Sequence, residues 1–495
     1  MSTQPPPAPP SLPKKRRPLI IRLLLGLTIF AIALTMLIPC LYLVEKYCGR
    51  AAWRAYETEA KARGVKLDFA DFIPPKIPDA ENFASIPIFD AAFRAADAGQ
   101  PIPDLFKLPP ARAGKLPTFT NPVKQERIDL AAWQKYFVET KLLPAPGENA
   151  ASDVLKALEN FDAPLAQLRE AGTRPYCHFP VHWEKSFAAQ LPHMAILQSA
   201  SKLVALRLAA HLALGESAAA YEDFQDGLRL NTAVRAEPTL LSGLVRITTA
   251  TVLKNAVWGG LASHQWAEPE LRKIDADLAG LDWLKDYVFA MASERGGFNA
   301  MADMCIERPQ DFADGILGSE SRSTNGLLFY PTGWLYQSKV RANHLSDELL
   351  TRVDPVQRRF FGERPLPSSA AHIKSLSVKI YYLLFSLATP VFEGVERRFV
   401  QVATITDQAR LACALERCRL ARRAYPETLA ELAPEFIPAI PAEIVNGEPY
   451  RYRRADDGSF LLYSVGTDLR DDDGVIDPKL SASKQADWVW RYPAK

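Results

Sequence analysis

The chain has 495 residues, 59 of them Lys or Arg against 57 Asp or Glu, for a formal net charge of +2. Residues 1–50 hold seven basic residues and one Glu, a local excess of +6, so the remainder carries −4. A near-neutral body without a basic block gives nucleic-acid binding no compositional support, and six cysteines in this length make no disulfide framework.

Residues 1–17 read as a disordered cytoplasmic tail, with six prolines before Lys14 and no apolar pattern. Residues 18–47 hold the transmembrane anchor. Leu23 to Val44 contains no charge, and as a helix it would cover about 33 Å, enough to cross a bilayer core. Lys14, Lys15, Arg16, Arg17 and Arg22 precede it and favour a cytoplasmic N-terminus. A cleaved signal peptide needs a shorter apolar core and small residues at its cleavage site, which Leu43-Val44-Glu45 does not supply. Pro39 stands before Cys40 where a lipoprotein signal needs a small residue, and no Glu opens the apolar run as in a prepilin. An uncleaved signal anchor is the reading that remains, with the body on the far side of the membrane.

Residues 48–127 form an extended, proline-rich region. The spacing predicts a helix from Gly49 to Gly64 and a short one near Ile88–Ala96, in a stretch expected to wrap a helical body. That body spans residues 128–390. Periodicity predicts helices over Leu191–Leu214, around Tyr221–Leu228, from Pro238 to Ala262, over Glu268–Leu281, Trp283–Met304 and Trp334–Leu350. Residues 306–332 and 353–370 read as irregular connections, and the apolar run 374–389 as a buried core helix. Tyr221 to Asn231 resembles the second helix of a tetratricopeptide repeat. Successive helical hairpins then imply a loosely tetratricopeptide-like array.

Residues 391–495 form a small α+β unit. A helix over Val391–Ala424 carries Arg417, Arg419, Arg422 and Arg423 in its last turns, where cations suit the helix dipole. Two alternating strands around Asp456-Asp457-Gly458 predict a β-hairpin. Cys413 and Cys418 fall on different faces of the helix. Cys177 with Cys305 is an allowed pair on an oxidising side of the membrane, and nothing demands it.

The helix leading into Tyr425-Pro426-Glu427-Thr428-Leu429, the stretch Asn446 to Tyr452, and Leu462-Tyr463-Ser464-Val465-Gly466-Thr467-Asp468 with its Asp/Gly loop and closing Asp487-Trp488 resemble the head of the major pseudopilin of type II secretion. The resemblance covers roughly the last hundred residues. It implies calcium held by Asp468, Asp471, Asp472, Asp473 and Asp477, since calcium takes six to eight oxygens. A solvated acidic loop is the alternative. The pilin processing motif is absent, so the resemblance does not extend to polymerisation. The whole chain also resembles a loose group of bacterial single-pass proteins with a helical middle and such a tail, which implies no activity.

Chemistry is sparse. There is no Gly-x-Ser-x-Gly, His-Glu-x-x-His, Walker loop or Cys-x-x-Cys. Ser199–Lys202 and Ser481–Lys484 match Ser-x-x-Lys without companion motifs. His178, His182 and His193 are candidate zinc ligands with Glu184 as base, but Pro175, Pro180 and Pro192 argue against a common helical face for His178 and His182, and the alternative is an aromatic, His-rich loop stacked on the helices it caps. The reading is a membrane-anchored scaffold with an envelope protein partner, with an accessory of a secretion system as its special case, and the alternative is a hydrolase at His178–His193.

Overall fold

The computed structural model describes residues 19–111, 116–119, 127–310, 330–364, 380–386, 394–477, 479–480 and 486–491. The chain is mainly helical, with small antiparallel sheets. The N-terminal tail and most of the expected helix 374–389 lie outside the described residues.

Helix α1 runs unbroken over Leu19–Ala62 and contains Pro39. The apolar stretch and the helix expected from Gly49 are therefore one element. Its first half is bare: Leu23, Leu27, Phe30, Met36 and Leu43 are all exposed. Among the described residues α1 is the one helix long and apolar enough to cross a membrane. Its second half is packed. Trp53, Tyr56 and Ala60 are buried with Leu67 against Tyr336 and Val340 of α11 (Thr332–Leu350). The two helices touch backbone to backbone, because a Cβ on Gly49 would overlap the Gly333 carbonyl and one on Gly333 the Glu45 carbonyl. Glycine is the residue type that permits this approach. Asp347 on α11 then ties three elements: it accepts from Tyr56 Oη at 2.9 Å, Arg63 Nη2 at 2.8 Å and Arg295 Nη1 at 2.8 Å.

The proline-rich region does more than wrap the surface. Phe69 in the 3-10 turn Phe69–Phe72, Phe83, Phe106 and the Ile88, Phe89, Phe93 stripe of α2 (Pro87–Asp97) are buried. They share a core with α3 (Leu130–Glu139), α4 (Ala150–Leu158), α5 (Asp162–Ala171) and the first part of α6 (His193–Ala213). In α2 the apolar residues fall at helical spacing on one side, so a short element can bury several aromatic rings. Each fully buried Phe contributes about 1.5–3 kcal/mol.

Gly215, at φ 78°, turns α6 into α7 (Ser217–Thr232). Helices α8 (Leu240–Ala262), α9 (Glu268–Ala279), α10 (Trp283–Glu307) and α12 (Val395–Arg422) follow close to their expected bounds. Helix α8 is central and packs against α6, α7, α10 and α12. One end of α12 joins a core with α10, α11 and the start of α8. The other end joins a core with α7, α9 and the strands.

Strands β3 (Arg451–Arg454) and β4 (Phe460–Ser464) form the expected hairpin, with Arg454 opposite Phe460 and Gly458 at φ 81° in the turn. A third strand, β5 (Trp488–Arg491), pairs antiparallel with β4 and places Trp490 opposite Leu462. Within the stretch read as irregular, β1 (Val353–Asp354) and β2 (Arg359–Phe360) make a two-stranded ladder. It was not legible because each strand is only two residues long.

Candidate functional site

The prolines of residues 175–192 keep Tyr176 to His182 extended, and that segment is pinned to the proline-rich region. Phe83 N donates to Tyr176 O at 2.8 Å, and Asn82 Oδ1 accepts from His178 N at 2.8 Å while its Nδ2 donates to His178 O at 2.9 Å. The three histidines consequently enter different surroundings. His178 is half-buried, and burial lowers its imidazole below the usual value. His182 is exposed between Glu184 at 3.0 Å and Asp97 at 3.3 Å. His193 is fully buried, stacked on Phe179 at 3.9 Å between ring centroids, with Nε2 2.8 Å from Glu237 Oε1. Among the described residues no three His, Cys, Asp or Glu side chains converge as a metal-binding group. The zinc reading with Glu184 as base therefore has no ligand set to stand on.

The segment serves a different structure. Trp183, Ala189 and Leu191 line a cleft of about 290 Å3 together with Phe69, Leu240, Leu244 and Glu294. Beside the cleft, a mid-helix glycine of α10 lets another stretch of backbone come close. A Cβ on Gly296 would lie 3.0 Å from Phe69 Cα, and Gly297 lines the opening. Gly in a helix interior costs about 0.5–1 kcal/mol relative to Ala, and the close approach of Phe69 accounts for Gly296.

Glu294 is 7% exposed and accepts Leu240 N–H at 3.0 Å, at the first turn of α8. Burial pushes its carboxyl up to about 6, and the Leu240 N–H works in the opposite direction. A polar chain lies behind the same helix end. Thr239 caps α8 through Ser242 N at 3.1 Å, Ser242 Oγ donates to Glu237 Oε2 at 2.7 Å, and Glu237 faces His193. Glu237 and Glu294 both went unread in the sequence. The one available signal was Gly296-Gly297 inside a helical pattern, which marks a close backbone approach.

Burial raises the Cys177 thiol well above its usual value, so it is no activated nucleophile. Cys177 and Cys305 pack in separate cores, and all six cysteines are free. Ser199 Oγ donates to Asp104 Oδ2 at 2.7 Å. Ser481–Lys484 lies outside the described residues. A larger cleft of about 630 Å3 between α6, α8 and the start of α3 has polar walls already engaged, with Arg127 Nη1 on Ser263 Oγ at 2.9 Å.

In the acidic loop the aspartates close local turns. Asp468 accepts from Arg470 N at 3.2 Å and Asp477 from Lys479 N at 2.8 Å. Asp471 accepts from Tyr463 Oη at 2.8 Å and Asp473 N at 3.1 Å. Asp487, 1% exposed, takes Asp472 N at 3.1 Å and Gly474 N at 2.8 Å. The structure thus brings Asp471, Asp472 and Asp473 into one turn organised by Asp487, and holds Asp468 and Asp477 in turns of their own.

No family model, no curated protein and no solved structure matches this chain.

Proposed function

We propose that the chain is an uncleaved, single-pass protein of a bacterial inner membrane, with a cytoplasmic N-terminus and a periplasmic body that serves as an interaction scaffold. The observation that carries this reading is the continuity of α1. The bare apolar half leads without a break into the half that Gly49, Tyr56 and Arg63 lock onto α11. A core helix would be covered, and against a cleaved signal stand the length of the uncharged run Leu23–Val44 and the lack of small residues at Leu43-Val44-Glu45. The basic cluster at Lys14–Arg17 supports the orientation. The α6–α7 hairpin supports the array reading, and a long helix carrying an antiparallel sheet supports the pseudopilin-like reading of residues 391–495. The hydrolase alternative loses the ligand set on which it relied.

Topology is tested in spheroplasts with a membrane-impermeant maleimide, on full-length protein in which Cys40 and Cys48 are Ser. Val356→Cys is labelled from outside, and Ser11→Cys only after lysis; the reverse pattern overturns the orientation. Capture from crosslinked native membranes tests the scaffold itself. Recovery of a secretion or envelope-assembly component supports it, and recovery of the chain alone contradicts it. Calcium at the Asp468–Asp477 loop belongs to the pseudopilin-like reading. A melting temperature that rises with added calcium supports that reading, and an unchanged one removes it.

A further inference from the structure

We infer that the cleft between Trp183 and the start of α8 is a binding site for a small apolar molecule carrying one amine, with Glu294 as the counter-ion of the ammonium group. Glu294 is 7% exposed, and among the described residues it takes one hydrogen bond, from Leu240 N–H, and pairs with no Lys, Arg or His. The adjacent Arg295 is taken by Asp347 at 2.8 Å. Buried carboxylates are normally paired, because an isolated charge in apolar surroundings is costly. Here the first turn of α8 supplies partial compensation through its N–H and its dipole, and leaves the negative charge open to a cation.

The rest of the cleft selects the ligand's body. Its walls are Phe69, Trp183, Leu191, Leu240 and Leu244. Phe69 and Trp183 meet edge to face at 5.9 Å, and aromatic faces attract an ammonium group as well as an apolar ring. A volume of about 290 Å3 is at the small end of ligand sites, which suits an aryl or short alkyl amine. A carboxylate ligand would meet Glu294 with like charge, and a neutral alcohol would leave it uncompensated. The site thus discriminates by charge within a series of equal shape.

The test uses the full-length protein in nanodiscs and three soluble probes of similar shape: phenethylamine, phenethyl alcohol and phenylacetate. Binding is read by ligand-observed NMR against the Glu294→Gln and Leu244→Trp variants. Gln keeps an acceptor for Leu240 N–H and removes the buried charge, so this variant folds. Phenethylamine is expected to bind at least about tenfold more tightly than the alcohol or the acid. That preference is expected to vanish in Glu294→Gln, and all binding to fall in Leu244→Trp. Equal binding of amine and alcohol, no binding of the amine, or an amine preference that survives Glu294→Gln overturns the assignment. None of these outcomes bears on the scaffold reading, which rests on α1.

Discussion

Glu294 combines a functional geometry with a stability cost, and the two can be separated by pH. Its carboxyl titrates near 4.5 when unfolded and is pushed up to about 6 by burial in the fold. The folded state therefore holds its proton more tightly. Stability conferred by the protonated form is present at low pH and is lost as pH rises from about 4.5 to about 6, with no further change above. The difference corresponds to about 2 kcal/mol. Glu294→Gln is accordingly expected to be more stable than the parent by up to that amount at about pH 8, and to gain little at about pH 4. Urea unfolding of both proteins at the two pH values checks this, and an equal gain at both would contradict the assigned cause. The same residue shows how little of the site was legible. His178, His182 and His193 attracted notice because metal ligands are recognised by residue type. Their segment matters for where its prolines and Trp183 place a wall. Glu294 lies in a mid-helix position whose partner wall is distant in sequence, so periodicity carries no trace of it.

At the scale of elements, Asp347 and the Gly49–Gly333 crossing decide how α1 is held. Asp347→Ala leaves the guanidinium of Arg295, a residue 4% exposed, without its carboxylate. Breaking a buried pair from one side costs about 3–5 kcal/mol, so this variant is expected to unfold at markedly lower urea or temperature. Gly333→Ala presses a Cβ against the backbone of Glu45, which cannot move aside as a side chain would. It is expected to lower stability by about 1–3 kcal/mol and to raise protease sensitivity between the two halves of α1. Limited proteolysis of the variant beside the parent provides the readout. Helix ends were readable because their signals are local: Thr239 and Asp282 cap α8 and α10 through their own side chains. The burial of the proline-rich region's aromatic residues was not legible because composition describes only its own backbone. What buries Phe83 and Phe89 is the neighbourhood supplied by α3 to α6. Strand β5 pairs with β4 across the acidic loop, a non-local contact that no short window contains.

On the scale of the whole molecule, α12 links two of the cores, and α1 links the body to its apolar end. Because α12 contributes Phe399 and Val400 to one core and Leu411 and Leu415 to the other, the C-terminal sheet does not form a separate unit of packing. Tryptophan fluorescence and far-UV circular dichroism are expected to report coincident unfolding transitions, and two resolved steps would contradict this. The central claim is that one continuous helix both anchors the chain and fixes the body's orientation. Electron–electron double resonance on full-length protein in nanodiscs tests it most directly, with spin labels at Leu41→Cys in the bare half and Val356→Cys beyond α11, and Cys40 and Cys48 replaced by Ser. A single narrow distance distribution is predicted, broadened by Gly333→Ala. A broad distribution in the otherwise unaltered protein would mean a hinge between anchor and body, and would contradict the account.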